Sequence, residues 1–302
     1  MTADRDPGVA AAPIQQTICA PPDFPCERGI FLSNLWYGHQ QAIVRHMGLD
    51  PKLVALPGKL QNGWQPGTGL DGEQGMKMEV TRDRLPFYLW SSRAMRHARA
   101  EGLDWGRVIG APFLYAFPAP VRVSGGVGLV AFPTHSVERE WRVAGWRAYA
   151  SDLAMWAWAE GISPVRACLY HIDYACDEIR QAFAAANVEV VTLGDPFGEG
   201  YLGRFAELVR AHEIVTSERV CSAGMYALWL HRPFWIRGRP LDATHPELDI
   251  GPAGDPSYLR REFPELLRHG HDVQRDTAAR ELGRDHVRSP DALIDVVFRG
   301  IA

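Results

Sequence analysis

Between residues 127 and 238, short apolar runs alternate with longer stretches that have the periodicity of a helix. Short runs bounded by turn residues predict buried strands, whereas stretches of about ten or more residues with a helical period predict helices. The predicted strands are 127–133, 165–172, 188–194, 212–217 and 233–238. One predicted helix ends near Glu160, and the other three cover 174–186, 201–211 and 221–231. Because parallel strands need helical crossovers, this order predicts a parallel, doubly wound sheet.

Polar side chains follow the predicted strands at the points where they end. In a parallel sheet these carboxyl ends meet at one edge, which is where ligands bind in such folds. We therefore predict a ligand site there. Its candidate residues are Thr134, His135, Ser136, His171, Asp173, Gly194, Asp195, Thr216, Ser217, Glu218, Ser222 and Gly224.

The start of the predicted helix at 221–231 has a second interpretation. Free N–H groups and a partial positive charge at a helix N-terminus attract anions, so Ser222 to Gly224 are candidates for binding a phosphate. Ser217 or Ser222 is alternatively only a helix cap, which is a commoner role for serine. The sequence leaves both interpretations open.

The first half of the chain shows a less regular alternation. It predicts a strand and then a helix within 28–48, with Ser33 or Asn34 as the cap. Further elements are predicted as strands at 52–58, 86–92 and 107–116, with a helix at 93–102 between the last two. The proline-rich exit at 117–120 precedes a linker at 121–126, which places a domain boundary near residue 122.

Four segments follow from this organisation. They are a flexible N-terminal tail (1–27), an acceptor-side α/β domain (28–122), a ligand-binding α/β domain (123–255) and a helical tail (256–302). The loop at 61–75 is expected to face the strand ends of the second domain. Within it, Asp71 and Glu73 are candidates for a general base, with solvated loop charges as the alternative interpretation.

Other residues are interpreted as structural. The tryptophans and tyrosines of 141–161 follow no single helical stripe, which indicates core or interface packing; sugar stacking by Trp141 or Trp146 is the minority interpretation. His39 and His46 share a helix face but lack a third ligand at helical spacing, so we expect no metal site.

Composition narrows the function classes. The net charge of −4 argues against a nucleic-acid partner, which usually needs a broad basic surface. Five cysteines without metal-ligand spacing favour a reducing compartment, and hence the cytoplasm. We expect no signal peptide and no membrane span, whereas peripheral membrane association is left open.

Six stretches together carry a resemblance to a known family. They are LQNGWQPG (60–67), YLWSSR (88–93), VIGAPFLY (108–115), VAFPTHS (130–136), CLYHIDY (168–174) and EIVTSERVCSAGMYALWLHRPFWIRG (213–238). In order and spacing they resemble the bacterial surface and capsular polysaccharide glycosyltransferases of the GT-B type. More loosely, the chain is similar to the capsule sialyl- and Kdo-transferases and to the teichoic-acid polymerases.

The resemblance implies two Rossmann-like domains with a cleft between them, in which the second domain holds a nucleotide-activated sugar. His135 then stabilises the leaving phosphate in its charged form, and Ser136, Ser217, Glu218, Ser222 and Gly224 bind the ribose and phosphates. Contacts to the base or sugar are assigned to His171, Asp173 and Asp195. No metal or other cofactor is implied, and a CMP-sugar is slightly favoured over a UDP- or GDP-sugar.

The chain departs from the family at one position in the acceptor-side loop. Related enzymes often have a His-Gly pair where this chain has Asn62-Gly63. An amide forms hydrogen bonds but takes up no proton, so the base then lies at Asp71, Glu73 or His39, or catalysis is weak or lost. The prediction is a metal-independent glycosyltransferase acting on a glycan or small-molecule hydroxyl. The alternatives are a nucleotide-sugar epimerase or hydrolase, and a non-catalytic nucleotide-sugar-binding assembly subunit.

Overall fold

The computed structural model describes residues 31–66, 80–81, 84–119, 125–136, 143–238, 242–243, 255–267 and 271–299. These residues form a mixed α/β fold with two parallel sheets. The predicted N-terminal tail, the linker at 121–124, and the base candidates Asp71 and Glu73 lie outside them.

The larger sheet matches the predicted strand pattern closely. Its strands are β4 (Leu129–Ala131), β6 (Val165–Leu169), β7 (Glu189–Thr192), β8 (Ile214–Ser217) and β9 (Phe234–Ile236). All four pairings between them are parallel, in the spatial order β7-β6-β4-β8-β9. The chain therefore builds the sheet outwards from β4 in one direction and then from β8 in the other, as a doubly wound sheet does.

Helices connect these strands at the predicted places. They are α4 (Trp146–Ala159), α5 (His171–Tyr174), α6 (Asp177–Ala185), α7 (Tyr201–Arg210) and α8 (Ser222–Trp229). A further short antiparallel pair joins β5 (Val143–Ala144) to β10 (Asp242–Ala243). The strand predicted at 165–172 ends early, because His171 already begins α5.

The first half contains a smaller sheet of three parallel strands in chain order. They are β1 (Lys59–Leu60), β2 (Phe87–Leu89) and β3 (Arg107–Val108). Three helices accompany them: α1 (His39–His46), α2 (Ser92–Ala100) and α3 (Pro112–Ala116). The strands predicted within 86–92 and at the start of 107–116 are thus confirmed as β2 and β3. Three other predictions for the first half were wrong.

The strand predicted before α1 is a 3-10 helix, Leu32–Gly38, and neither Ser33 nor Asn34 caps it. Instead, the Asn34 side chain donates to Gly58 O and accepts from Leu60 N, both at 2.8 Å, which fixes the start of β1. The run at 52–58 is not a strand, since β1 begins only after Pro57-Gly58. Its residues 54–56 are buried, whereas Leu53 is 62% exposed. The run at 107–116 changes from strand to helix because Pro112 occupies the first turn of α3.

The predicted helical tail is confirmed as α9 (Pro256–Glu262), α10 (His271–Glu281) and α11 (Pro290–Val297), with 3-10 turns at Pro264–Leu267 and Arg284–His286. Helix α10 packs on α8. Helix α11 packs on the smaller sheet, where Leu293 and Val297 join a buried cluster with Leu60 and Tyr88. The tail therefore connects the two sheets.

One hydrophobic cluster also crosses the predicted boundary near residue 122. Trp64, Trp90 and Phe113 from the first half pack in the same cluster as Phe205 and Tyr226 from the second. Phe113 stacks on Tyr226 with ring centroids 4.0 Å apart. The described residues of the two halves therefore share one buried cluster. The domain boundary near residue 122 remains a prediction. Among those residues no helix has both the length and the apolarity needed to cross a bilayer.

Candidate functional site

The strand order of the larger sheet defines where a ligand can bind. The direction of chain winding reverses between β4 and β8, which are neighbours in the sheet. At such a switch point the loops that follow the two strands diverge and leave a crevice at their carboxyl ends. We call the residues at this edge the switch-point rim. They are Thr134, His135, Ser136, His171, Asp173, Ser217 and Glu218.

A buried carboxylate joins the two sides of the crevice. Glu218, after β8, is 5% exposed. Its Oε1 atom accepts from the Thr134 backbone N–H at 2.7 Å and also from the Thr134 hydroxyl. The other oxygen, Oε2, has a contact of 3.5 Å with the Ser217 hydroxyl. One oxygen of Glu218 therefore holds the loop after β4, and the other retains capacity to accept a hydrogen bond.

A second buried carboxylate comes from the neighbouring strand. Asp173, on α5 after β6, is 1% exposed, and its Oδ2 accepts from Ser136 N at 2.9 Å. Its Oδ1 is buried and has no hydrogen-bond partner among the described residues. A buried carboxylate oxygen without a donor is costly, so this atom is suited to a ligand N–H or O–H group.

Ser136 itself is occupied by the fold. The residue is buried, and its hydroxyl oxygen accepts from Val143 N at 3.0 Å. The Ser136 backbone is thus bonded to Asp173, and its side chain is bonded to the backbone at the start of β5. We infer that Ser136 shapes the rim, while its role in ligand binding remains a prediction.

His135 follows β4, and its ring is held by its neighbours at the rim. Its Nδ1 lies 2.8 Å from Ser136 O, and its ring stacks on Tyr170 at a centroid distance of 4.3 Å. Burial lowers the pKa of His135, partly offset by the bond to Ser136. The charged form expected beside a donor phosphate remains a prediction. A neutral ring that donates from Nδ1 carries its lone pair on Nε2.

Ser222 at the start of α8 contacts the first half of the chain. Its hydroxyl oxygen accepts from Trp64 N at 2.9 Å, and a Cβ atom on Gly63 would lie 3.2 Å from the same oxygen. Cys221 precedes the helix without a side-chain cap, so the cap interpretation is wrong for Ser222. The contact brings the described part of the acceptor-side loop, 61–66, next to the helix start.

Gly224 has a packing explanation. A Cβ atom at this position would lie 2.5 Å from the Phe234 ring, so glycine allows α8 to lie close on β9. Its predicted contact with a phosphate remains a prediction.

The loop at 61–75 carries a second buried acceptor atom without a partner among the described residues. Asn62 Oδ1 is buried and has no hydrogen-bond partner among the described residues. The neighbouring Gln61 is fully used, since it donates to Gly63 O and accepts from Trp90 N. Asn62 therefore has an unfilled acceptor position, one residue before Gly63, which lies against Ser222.

His39 is a poor base despite its place near the loop. It is 2% exposed, packs edge-on against Trp90, and lies 3.3 Å from the Tyr226 hydroxyl through Nε2. Burial lowers the pKa of His39 to about 3. Such a ring stays neutral near pH 7, and its hydrogen bond across the two halves indicates a structural role.

Two predicted residues differ in how close they lie to the switch point. His171 opens α5 directly beside Tyr170, with ring centroids 4.4 Å apart, and so belongs to the rim. Asp195 follows the edge strand β7, about 10 Å from β4 because two strand spacings intervene. Its Oδ1 accepts from Phe197 N at 2.9 Å, which is the geometry of a local turn. Its contact with a ligand remains a prediction.

The structure adds residues that the sequence did not single out. Arg93 and Glu281 form a buried ion pair at 2.6 Å, and Glu281 Oε2 also accepts from Trp64 Nε1 at 2.8 Å. Arg93 additionally donates to the carbonyls of Gln65 and Pro66. These contacts hold the loop at 64–66 against the helical tail, and a separation of 188 residues left no local signal for them.

The described ranges contain no group of three or more His, Cys, Asp or Glu side chains that could hold a metal ion. Absence of a metal requirement remains a prediction, because part of the acceptor-side loop lies outside those ranges.

Comparison with known proteins gives little further information. No model of a known protein family matches the chain, and no curated protein sequence matches it. Among solved structures, the chain is similar to that of Phytolacca americana UGT2 complexed with UDP-2fluoro-glucose and pterostilbene, at 10% identity and a TM-score of 0.30. The alignment covers 85% of this chain and 64% of that chain. The geometry of the switch-point rim, rather than this likeness, supports the function proposed below.

Proposed function

We propose that this protein is a glycosyltransferase that moves a sugar from a nucleotide-activated donor to the hydroxyl of a glycan or small-molecule acceptor. The observation that supports it is the switch-point rim, where two buried carboxylates, Glu218 and Asp173, each keep an oxygen that can accept from a ligand. A loop from the other sheet reaches the adjoining helix start through Trp64 and Ser222. In this proposal the nucleotide-sugar donor binds at the rim, and the acceptor binds at the adjoining loop.

In the proposed donor complex, Glu218 Oε2 accepts from a ribose hydroxyl, and Asp173 Oδ1 accepts from the base or sugar. The N-terminus of α8, with Ser222, lies towards the phosphates, where free N–H groups and the helix dipole favour negative charge. The same groups stabilise the charge that builds up on the phosphate as the glycosidic bond breaks. A phosphate beside His135 favours protonation of Nε2, which would convert the resting acceptor into a donor.

Activation of the acceptor hydroxyl is assigned to Asp71 or Glu73. Asn62 has an available oxygen, but an amide takes up no proton at neutral pH. His39 is buried and resists protonation. In this proposal Asn62 accepts a hydrogen bond from the acceptor and orients it, while a loop carboxylate removes the proton.

A second candidate function is a non-catalytic nucleotide-sugar-binding subunit. Two residues favour it. Asn62 stands where the glycosyltransferases that the chain resembles often have a histidine, and His39 is unsuited to act as the base because burial lowers its pKa. Such a subunit would bind the nucleotide-sugar but would not transfer the sugar to an acceptor.

A turnover experiment separates these functions. The protein is incubated with CMP-, UDP- and GDP-sugars, with and without a panel of methyl glycosides, and both free nucleotide and extended glycoside are measured. We expect one donor class to give extended glycoside, and Asp71→Asn or Glu73→Gln to lower its rate by about 100-fold or more. Nucleotide release without an acceptor product would indicate a hydrolase, and nucleotide binding without any turnover would indicate the binding subunit.

A further inference from the structure

A buried hydroxyl next to the switch-point rim has no evident role in the fold. Tyr149, on α4, is fully buried, and its hydroxyl has no hydrogen-bond partner among the described residues. Its ring is well packed, with the Phe183 ring 6.2 Å away. A phenylalanine would fill the same space without leaving a polar atom unpaired, so the hydroxyl costs stability where it stands.

The position of Tyr149 connects it to the proposed donor site. A Cβ atom on Gly238 would lie 3.2 Å from Tyr149 Cε2 and 3.7 Å from Glu218 Cβ, so these three residues meet in one corner. Gly238 follows β9, and Glu218 follows β8. The corner therefore lies at the carboxyl ends of two neighbouring strands, on the side of the crevice opposite Asp173.

The two polar groups of this corner are chemically complementary. Burial, and then the neighbouring Glu218 and Cys221, raise the pKa of Tyr149. The tyrosine thus keeps its proton and is a hydrogen-bond donor, whereas the carboxylate of Glu218 is an acceptor. A donor beside an acceptor suits a ligand that presents two adjacent hydroxyl groups, of which one accepts and one donates.

We propose that Tyr149 and Glu218 together bind the cis-diol of the donor's ribose, with Tyr149 donating to one hydroxyl and Glu218 Oε2 accepting from the other. This inference rests on the proposed function. It names Tyr149 as a further recognition residue and makes the protein selective for ribonucleotides.

The test compares Tyr149→Phe with the wild type by titration calorimetry and thermal melting. The ligands are CMP, UDP and GDP and their 2′,3′-dideoxy counterparts. We expect Tyr149→Phe to weaken binding of the preferred ribonucleotide by about 3- to 10-fold, the range for one neutral hydrogen bond, and to leave the dideoxy counterpart unaffected. Its melting temperature should equal or exceed that of the wild type, because the lost hydroxyl has no partner in the part of the chain that the structure describes.

Tyr88→Phe is the matched control. Tyr88 is also fully buried, but its hydroxyl donates to Val297 O at 3.1 Å, in the smaller sheet. This variant should melt at a lower temperature and bind nucleotides as the wild type does.

Three outcomes would overturn the inference. If Tyr149→Phe binds the ribonucleotide as tightly as the wild type, or binds the ribonucleotide and its dideoxy counterpart more weakly by the same factor, the hydroxyl does not contact the diol. If it melts at a lower temperature, the hydroxyl serves the fold instead. If the wild type binds none of the three nucleotides, the proposed function fails and this inference fails with it.

Discussion

Replacement of Arg93 by methionine is expected to lower the free energy of unfolding by about 3–5 kcal/mol, the cost of breaking a buried ion pair from one side. Arg93 lies 2.6 Å from Glu281, and the side chains are 13% and 2% exposed. Methionine retains the aliphatic stem but leaves the Glu281 charge buried. The partners that remain are the Trp64 indole, which donates to Oε2, and the Arg280 guanidinium, 4.0 Å from Oε1. Denaturant titration measures the loss.

Two further variants identify the cause. Arg261→Met breaks an ion pair with Glu262 whose side chains are 67% and 45% exposed, and should change the unfolding free energy by less than about 0.5 kcal/mol. The double variant Arg93→Met with Glu281→Gln should recover part of the loss, because no buried charge remains. A single variant as stable as the wild type would show that the pair does not hold the loop.

Gly283→Ala is expected to destabilise the protein by about 3–5 kcal/mol, combining backbone strain with a clash. Gly283 has φ of +72°, in the left-handed region, and a Cβ atom there would lie 1.7 Å from Trp90 O. Because the contact is with backbone, relief requires a shift of the tail or of the segment after β2. The same denaturant titration measures the effect.

Gly102→Ala is the control for strain alone. Its φ is +81°, but nothing lies within 4 Å of the added Cβ atom. We expect a loss of about 1–2 kcal/mol, the cost of the left-handed conformation. Equal losses at Gly102 and Gly283 would contradict the close approach of the tail to Trp90.

The larger sheet was predictable from the sequence because each strand is a short apolar run and each crossover a full helix. The local signals there agree with the final topology. The smaller sheet was less predictable because its strands are short. Asn34 sets the start of β1 through bonds to Gly58 and Leu60, which lie 24 and 26 residues away and have no local pattern.

The residues of the candidate site were predictable where they follow strands of the larger sheet. Strand ends placed Thr134, Asp173 and Glu218 on one edge, as the parallel pairing requires. Asp195 was predicted by the same rule, but the sequence does not tell that β7, which it follows, is the edge strand of the sheet.

Tyr149 was hidden for a different reason. It sits within an aromatic stretch in which Trp146 and Trp156 pack with the same buried cluster, whereas Trp158 is 85% exposed. Nothing in that stretch marks the Tyr149 hydroxyl, whose lack of a partner among the described residues becomes visible only when its neighbours are known.

The central claim is that the switch-point rim binds the nucleotide of an activated sugar. Equilibrium titration of the wild type and Glu218→Gln with CMP, CDP, UDP, GDP and ADP tests it most directly, with Glu207→Gln on the exposed face of α7 as the control. We predict that one nucleotide class binds selectively and that Glu218→Gln alone weakens it by about 10-fold, since a hydrogen bond to a charged acceptor becomes one to a neutral amide. Equal affinity of both variants for every nucleotide, or no binding at all, would contradict the account.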